Sequence, residues 1–254
     1  MVLWRRRHLR RRFEVRSSER VIVALDFATA QQAIGLVKQL GDPASHYKVG
    51  LQLLTAAGPS VARELVTMGK QVFLDLKLFE IPNSVAGAVT AAGHLGVNMI
   101  TVHASAGSAV LAAAVAAARP FARLKVLALT VITSMSEQDL AEVGVAGTVA
   151  QQVLRLAKLS IEAGCHGVVA SPLEAALLRK VLPEGSLIVT PGVRLLENSA
   201  FDHVRTDTPA VAMRAGATHV VIGRSIICAG NPADAFAAVC AQLQVPMDEM
   251  FDPR

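Results

Sequence analysis

A chain of 254 residues, 52% hydrophobic and 18% charged, is long enough to bury one large core. It contains no uninterrupted run of 18 apolar residues, so no membrane-spanning helix is expected. The net charge of +5 misleads: residues 1–20 hold eight arginines against Glu14 and Glu19, a net of +6, which leaves −1 for the rest. A near-neutral body argues against nucleic acid as its main partner.

In chain order, residues 1–19 read as a basic N-terminal arm whose like charges repel and keep it disordered. The arm lacks the long apolar stretch of a secretory signal, and its glutamates and clustered arginines make a poor transit peptide. Short β-branched runs then alternate with Ala- and Leu-rich stretches. The predicted strands are 21–25, 47–49, 72–76, 99–102, 126–131, 167–170, 187–190 and 219–222. Each is nearly continuously apolar rather than alternating, as parallel strands covered on both faces require. Thr29-Ala-Gln-Gln32 has the spacing of a capping box opening the first helix. Covering helices are predicted over 85–95, 108–118, 149–163, 173–181 and 233–243. Eight such units over residues 20–254 favour one α/β domain, a single (β/α)8 TIM barrel behind the basic extension. The polar stretch from Gly192 to Thr208 is longer than an ordinary strand-to-helix connection and has the character of a lid. Cys165, Cys228 and Cys240 form no CxxC pair, which predicts buried, reduced thiols and a cytoplasmic protein.

In such barrels chemistry sits where the strands end. Charged residues interrupt the apolar runs at those ends: Asp26 on the first strand, Lys48 on the second, Asp75 and Lys77 on the third. The spacing of two predicts that Asp75 and Lys77 project to the same side of their strand. Burying one charge is costly, so a cluster of alternating sign is a way to hold four in one mouth. The last two strands run into Pro191-Gly192-Val193-Arg194 and Gly223-Arg224-Ser225. Each puts a glycine beside an arginine where barrels often bind phosphate, so a phosphorylated substrate is expected. Histidine and cysteine spacings suggest no metal site, and neither a GxGxxG nor a GxxxxGK[ST] motif suggests a nucleotide cofactor. His103 reads as a satisfied barrel histidine.

Ala24-Leu25-Asp26, Lys48-Val49-Gly50, Asp75-Leu76-Lys77 with Ile81-Pro82-Asn83-Ser84, Val102-His103-Ala104-Ser105, Thr130-Val131-Ile132-Thr133-Ser134, Thr190-Pro191-Gly192-Val193-Arg194 and Val221-Ile222-Gly223-Arg224 follow one another between residues 20 and 243. In type and order they resemble the signature segments of the bacterial orotidine 5′-monophosphate decarboxylase family. The resemblance implies cofactor-independent conversion of orotidine 5′-monophosphate (OMP) to UMP and CO2 in de novo pyrimidine biosynthesis. It implies that Asp26 and Lys48 contact the ribose hydroxyls, that Asp75 lies beside the substrate carboxylate, and that Lys77 supplies the replacing proton. Thr133 would bond the pyrimidine, while Pro191, Arg194, Gly223 and Arg224 would hold the phosphate. Glu80 and Ser84 would reach a neighbouring subunit's site, which implies a homodimer with shared active sites. Two positions depart from the family's usual pattern: Glu80 stands where aspartate is usual, and His203 where glutamine bridges phosphate and pyrimidine. A metal-dependent sugar-phosphate decarboxylase or aldolase on the same barrel is the nearest rival, and Thr133 with the Ile-Pro-Asn-Ser segment argues against it.

Overall fold

The computed structural model describes residues 16–193 and 207–243. The predicted strands form, with ends shifted by at most two residues: β1 (Val21–Ala24), β2 (His46–Gly50), β3 (Gln71–Leu78), β4 (Met99–His103), β5 (Lys125–Leu129), β6 (Gly167–Val169), β7 (Leu187–Thr190) and β8 (His219–Ile222). Each pairs in parallel with the next, and β1 pairs with β8, so the expected barrel closes. Closure leaves no free edge for another chain to add to. Residues 1–15 of the basic arm and 194–206 of the Gly192–Thr208 stretch lie outside the described residues, whereas the end of the arm is structured, with Ser17–Arg20 forming a 3-10 helix that leads into β1. Among the described residues no helix is long and apolar enough to cross a membrane.

Closure explains why the strands are apolar on both faces. Alternate residues point inward, where Ile22, Ala24, Phe73, Met99, Leu127, Leu129, Val169, Val189 and Val221 pack as one cluster. The residues between them face the helices and join a second, larger core that includes Val23, Tyr47, Val49, Leu74 and Val168. The barrel is so tight between β6 and β7 that a Cβ on Gly167 would lie 2.2 Å from the Leu187 carbonyl oxygen, so only glycine fits there.

The covering helices follow their patterns closely. Helix Ser108–Ala118 has the predicted ends, and helix Val149–Glu162 buries Val149, Val153, Leu156, Ala157 and Ser160, one stripe of a 3.6-residue period. Thr148 and Gln151 cap it reciprocally. The first helix, Ala30–Leu40, is capped in one direction only. Thr29 Oγ1 accepts the Gln32 N–H at 3.3 Å but also donates to Gln32 Oε1, so the expected return bond to the backbone is not made. The predicted 173–181 helix starts as a 3-10 turn, Pro172–Glu174, capped by Ser171, before the α-helix Ala175–Val181. Short helices at Leu51–Ala57, Ser60–Thr67, Glu137–Glu142 and Pro209–Arg214 were not predicted, because so few turns give little periodicity to read.

At the N-terminal floor of the barrel two histidines sit close together, His46 and His219, with ring centroids 6.2 Å apart. Each Nδ1 meets the hydroxyl of the preceding residue, Ser45 at 2.9 Å and Thr218 at 3.0 Å. Burial pushes His219 down to about 4, helped by His46 and Arg20, and burial lowers His46 against the opposing pull of Glu19. The folded floor therefore holds both rings neutral where the unfolded chain, titrating near pH 6.5, already takes up protons. Stability should be complete above about pH 6.5 and fall as the pH drops towards 4, with His219 alone costing about 2 kcal/mol at pH 5. Thermal melts should show it: between pH 7 and pH 5 wild type should lose about 4–8 °C more than His219→Gln. Equal losses in the two proteins would show that the His219 ring is not the cause.

Candidate active site

The C-terminal mouth of the barrel opens into a cavity of about 580 Å³ whose lining includes Asp26, Lys48, Asp75, Lys77, Thr133, Pro191, Gly223 and Arg224. Two residues beyond the end of β1, Asp26 stands at the rim with its side chain 44% exposed. Lys48 projects from β2, and Asp75 and Lys77 from β3. The Lys48 ammonium is 3.2 Å from Asp26 Oδ1 and 3.8 Å from Asp75 Oδ2, while the Lys77 ammonium is 2.9 Å from Asp75 Oδ1. The four charges thus alternate in sign along one wall. The inner pair is well shielded, with the Lys48 and Asp75 side chains only 12% and 11% exposed. Gly50 leaves room for this packing, since a Cβ there would come within 3.0 Å of Lys48 Nζ.

Asp75 and Lys77 share a side, but not through the regular alternation of a strand. The β3–β4 register runs Phe73 to Met99 and Leu74 to Ile100, then jumps to Leu78 opposite Val102. Two extra β3 residues are taken up in a bulge between Leu74 and Leu78. Within it Lys77 has φ +50°, the one non-glycine residue with positive φ among the described residues. A left-handed lysine costs about 1–2 kcal/mol. Such strain gathers at functional sites, where the surroundings enforce it.

Thr133 is buried on the loop after β5, and Leu129 and Val169 supply an apolar wall below it. Across the cavity, Pro191 and Gly192 follow β7, while Gly223, Arg224 and Ser225 follow β8. Arg194 and His203, also expected at this end, lie outside the described residues.

Glu80 departs from the charged row. It lies on the exposed connection after β3, away from the cavity lining. Bonds from the Ser84 hydroxyl and the Ile81 backbone N–H hold its carboxyl below the usual range. Within one chain, then, Glu80 pairs with Ser84 and not with the lysines. Phe79 and Ile81, on either side of it, are 65% and 61% exposed. His103 is the satisfied histidine expected: its Nδ1 accepts the Ser105 N–H at 3.2 Å and its ring lies against Phe79. Burial, and secondarily the Lys77 charge, keep His103 below its ordinary value. The thiols need correction. Cys165 is buried and pushed up to about 12, but Cys228 is exposed and lines the cavity just beyond helix Arg224–Ile227. The sharp turn after that one-turn helix swings residue 228 to the surface despite its apolar neighbours.

Sequence reasoning missed two polar residues here. Gln52, in the first turn of helix Leu51–Ala57, lines the cavity. Thr101 is fully buried on β4. Its signal was a polar residue at an inward position, two before His103, in an otherwise apolar strand.

The model of the "Orotidine 5′-phosphate decarboxylase / HUMPS family" matches residues 19–239, nearly the whole barrel. The chain belongs to this family. Among curated proteins it is 45% identical over 226 residues to the orotidine 5′-phosphate decarboxylase of Sodalis glossinidius, covering 88% of this chain and 90% of that one. It is 46% identical over 225 residues to that of Halorhodospira halophila, covering 88% and 95%. The crystal structure of orotidine 5′-phosphate decarboxylase from Lactobacillus acidophilus superposes with a TM-score of 0.79 at 34% identity, over 89% of this chain and 99% of that one. In this member of the orotidine 5′-phosphate decarboxylase / HUMPS family, the charged row and the Gly223–Arg224 turn occupy one cavity.

Proposed function

We propose that this chain decarboxylates OMP to UMP without a cofactor, as a step of pyrimidine synthesis in the cytoplasm, with Lys77 as the proton donor. The observation that carries this reading is the alternating row Asp26, Lys48, Asp75, Lys77 in a cavity that also holds Arg224. When the C6–carboxylate bond breaks, CO2 leaves and the electron pair stays on C6, where the ring delocalises it poorly. A fixed ammonium beside C6 stabilises that charge as it develops. Lys77 then gives its proton to C6, becomes a neutral amine, and is reprotonated from solvent.

The other groups orient and hold the substrate. Asp75 and Lys48 keep the row charged and in place, Asp26 and Lys48 meet the ribose hydroxyls, and Thr133 bonds the base. Pro191, Gly223 and Arg224, with Arg194 and His203, take the phosphate end. A rigid phosphate anchor lets binding energy remote from C6 organise the reacting end.

The active unit is a homodimer with shared sites. Glu80 stands exposed on the connection after β3 and Ser84 exposed in the first turn of helix Pro82–Leu95, beside the exposed Phe79 and Ile81, and Leu51 adds a third exposed apolar side chain. Burying these against a second copy would bring Glu80 to the neighbour's lysines. The catalytic domain of residues 20–254 also takes in the 3-10 helix Ser17–Arg20 at the end of the basic segment, which contacts β1, β8 and helix Pro232–Gln242.

The first test is the ultraviolet absorbance change on adding OMP to the purified protein in the presence of EDTA. Turnover should proceed at an undiminished rate. If turnover is absent with EDTA and appears with Mg²⁺ and a sugar phosphate, the metal-dependent rival is the better reading.

A further inference from the structure

We infer that Thr101 is a positioning residue that sets the geometry of the Asp75–Lys77 pair; the inference rests on the decarboxylase reading of that pair. The bulge in β3 creates the need. In the unshifted register Asp75 would face Thr101 and Leu76 would face Val102, yet it is Leu78 that pairs with Val102. The inserted residues lose their places in the ladder, and a backbone N–H left unpaired in a buried strand is costly. Thr101 takes the one at Lys77. Its Oγ1 accepts the Lys77 N–H at 2.8 Å.

The same hydroxyl has one proton to give, and it goes to Asp75 Oδ1 at 3.0 Å. That oxygen is also the one that meets the Lys77 ammonium at 2.9 Å, while Oδ2 faces Lys48 at 3.8 Å. One buried hydroxyl therefore grips the pair at both ends, the main chain of the lysine and the carboxylate of the aspartate. A carboxylate's terminal torsion is broad and nearly two-fold. The Thr101 bond selects one rotation of it, with a defined oxygen for each lysine. Thr101 is 0% exposed and absent from the cavity lining, so it acts on the reaction through Asp75 and Lys77 and not by touching substrate.

Valine keeps the shape and β-branching of threonine and removes only the hydroxyl, whereas serine keeps the hydroxyl. Thr101→Val should lower kcat for OMP about 10- to 100-fold, the rate equivalent of one hydrogen bond to a charged group. KM and UMP affinity should stay at wild-type values, because the phosphate end is untouched. Thr101→Ser should restore most of kcat. A wild-type kcat in Thr101→Val would overturn the inference, and so would equal losses in the valine and serine variants. Hydrogen exchange at the Lys77 amide, read by NMR, tests the contact without turnover: protection should fall in Thr101→Val and return in Thr101→Ser. Should wild type fail on OMP, the reaction assignment falls. Lys77 amide protection that is the same in all three proteins would then overturn the positioning role separately.

Discussion

Replacing Lys77 with alanine is expected to lower kcat for OMP by about 10⁴-fold or more, the combined scale of losing a positioned acid and a charge aimed at the transition state. The fold should survive. The Lys77 side chain is 32% exposed, and its removal relieves the charge row of a cation without opening the packed barrel interior. It leaves Asp75 with Lys48 at 3.8 Å as its remaining cation and with the Thr101 hydroxyl at 3.0 Å. Absorbance assays on the folded variant read the effect directly, and near-normal turnover would remove Lys77 from the mechanism. The variant also reports on shared sites. Glu80→Ala should be impaired by itself, and mixed with Lys77→Ala it should regain about a quarter of wild-type activity. Half the random dimers are then mixed, and each of these has one intact site. If mixing restores nothing, each protomer works with its own Glu80, or without it.

Arg224→Ala should act on binding. An arginine meeting a phosphate through paired hydrogen bonds loses about 1.5–3 kcal/mol on truncation, so UMP should bind roughly 10- to 100-fold more weakly by calorimetry. Uridine, which lacks the phosphate, should bind both proteins alike. The same loss should appear in kcat/KM for OMP, since the remote anchor contributes to the transition state as well. Unchanged UMP affinity would place the phosphate elsewhere in the cavity. A parallel loss for uridine would mean that Arg224 supports the pocket's shape and not the phosphate.

Much of this was legible in one dimension. A strand buried on both faces must be apolar throughout, and eight such runs separated by helix-length stretches have few ways to pack other than a closed barrel. A charge that interrupts such a run is conspicuous because burial makes it costly, and so Asp26, Lys48, Asp75 and Lys77 could be picked out by position alone. The glycine–arginine turns after the last two strands were visible for a similar reason, as local chemistry at a place the fold reserves for anions.

What failed to show in the sequence depends on residues far apart in the chain. The bulge of β3 arises from its register against β4, a relation between two strands, and no pattern within Leu74–Leu78 announces it. The Thr101 hydroxyl meets the Lys77 N–H at that bulge, 24 positions away in the chain, and the Asp75 carboxylate with it. The exposure of Cys228 depends on where a one-turn helix ends, and the histidine pair of the floor on β1 lying between β2 and β8. Glu80 was assigned through the resemblance to a neighbouring subunit's site, and within one chain it bonds Ser84 and the Ile81 N–H, so its place relative to the lysines depends on how two copies meet. Composition and periodicity thus determined which side chains are buried and which charges stand at strand ends, because both follow from the cost of removing each residue from water. Tertiary structure alone decided which of those groups touch, because contact distances depend on strand register and loop direction, which are settled only when all eight strands pair.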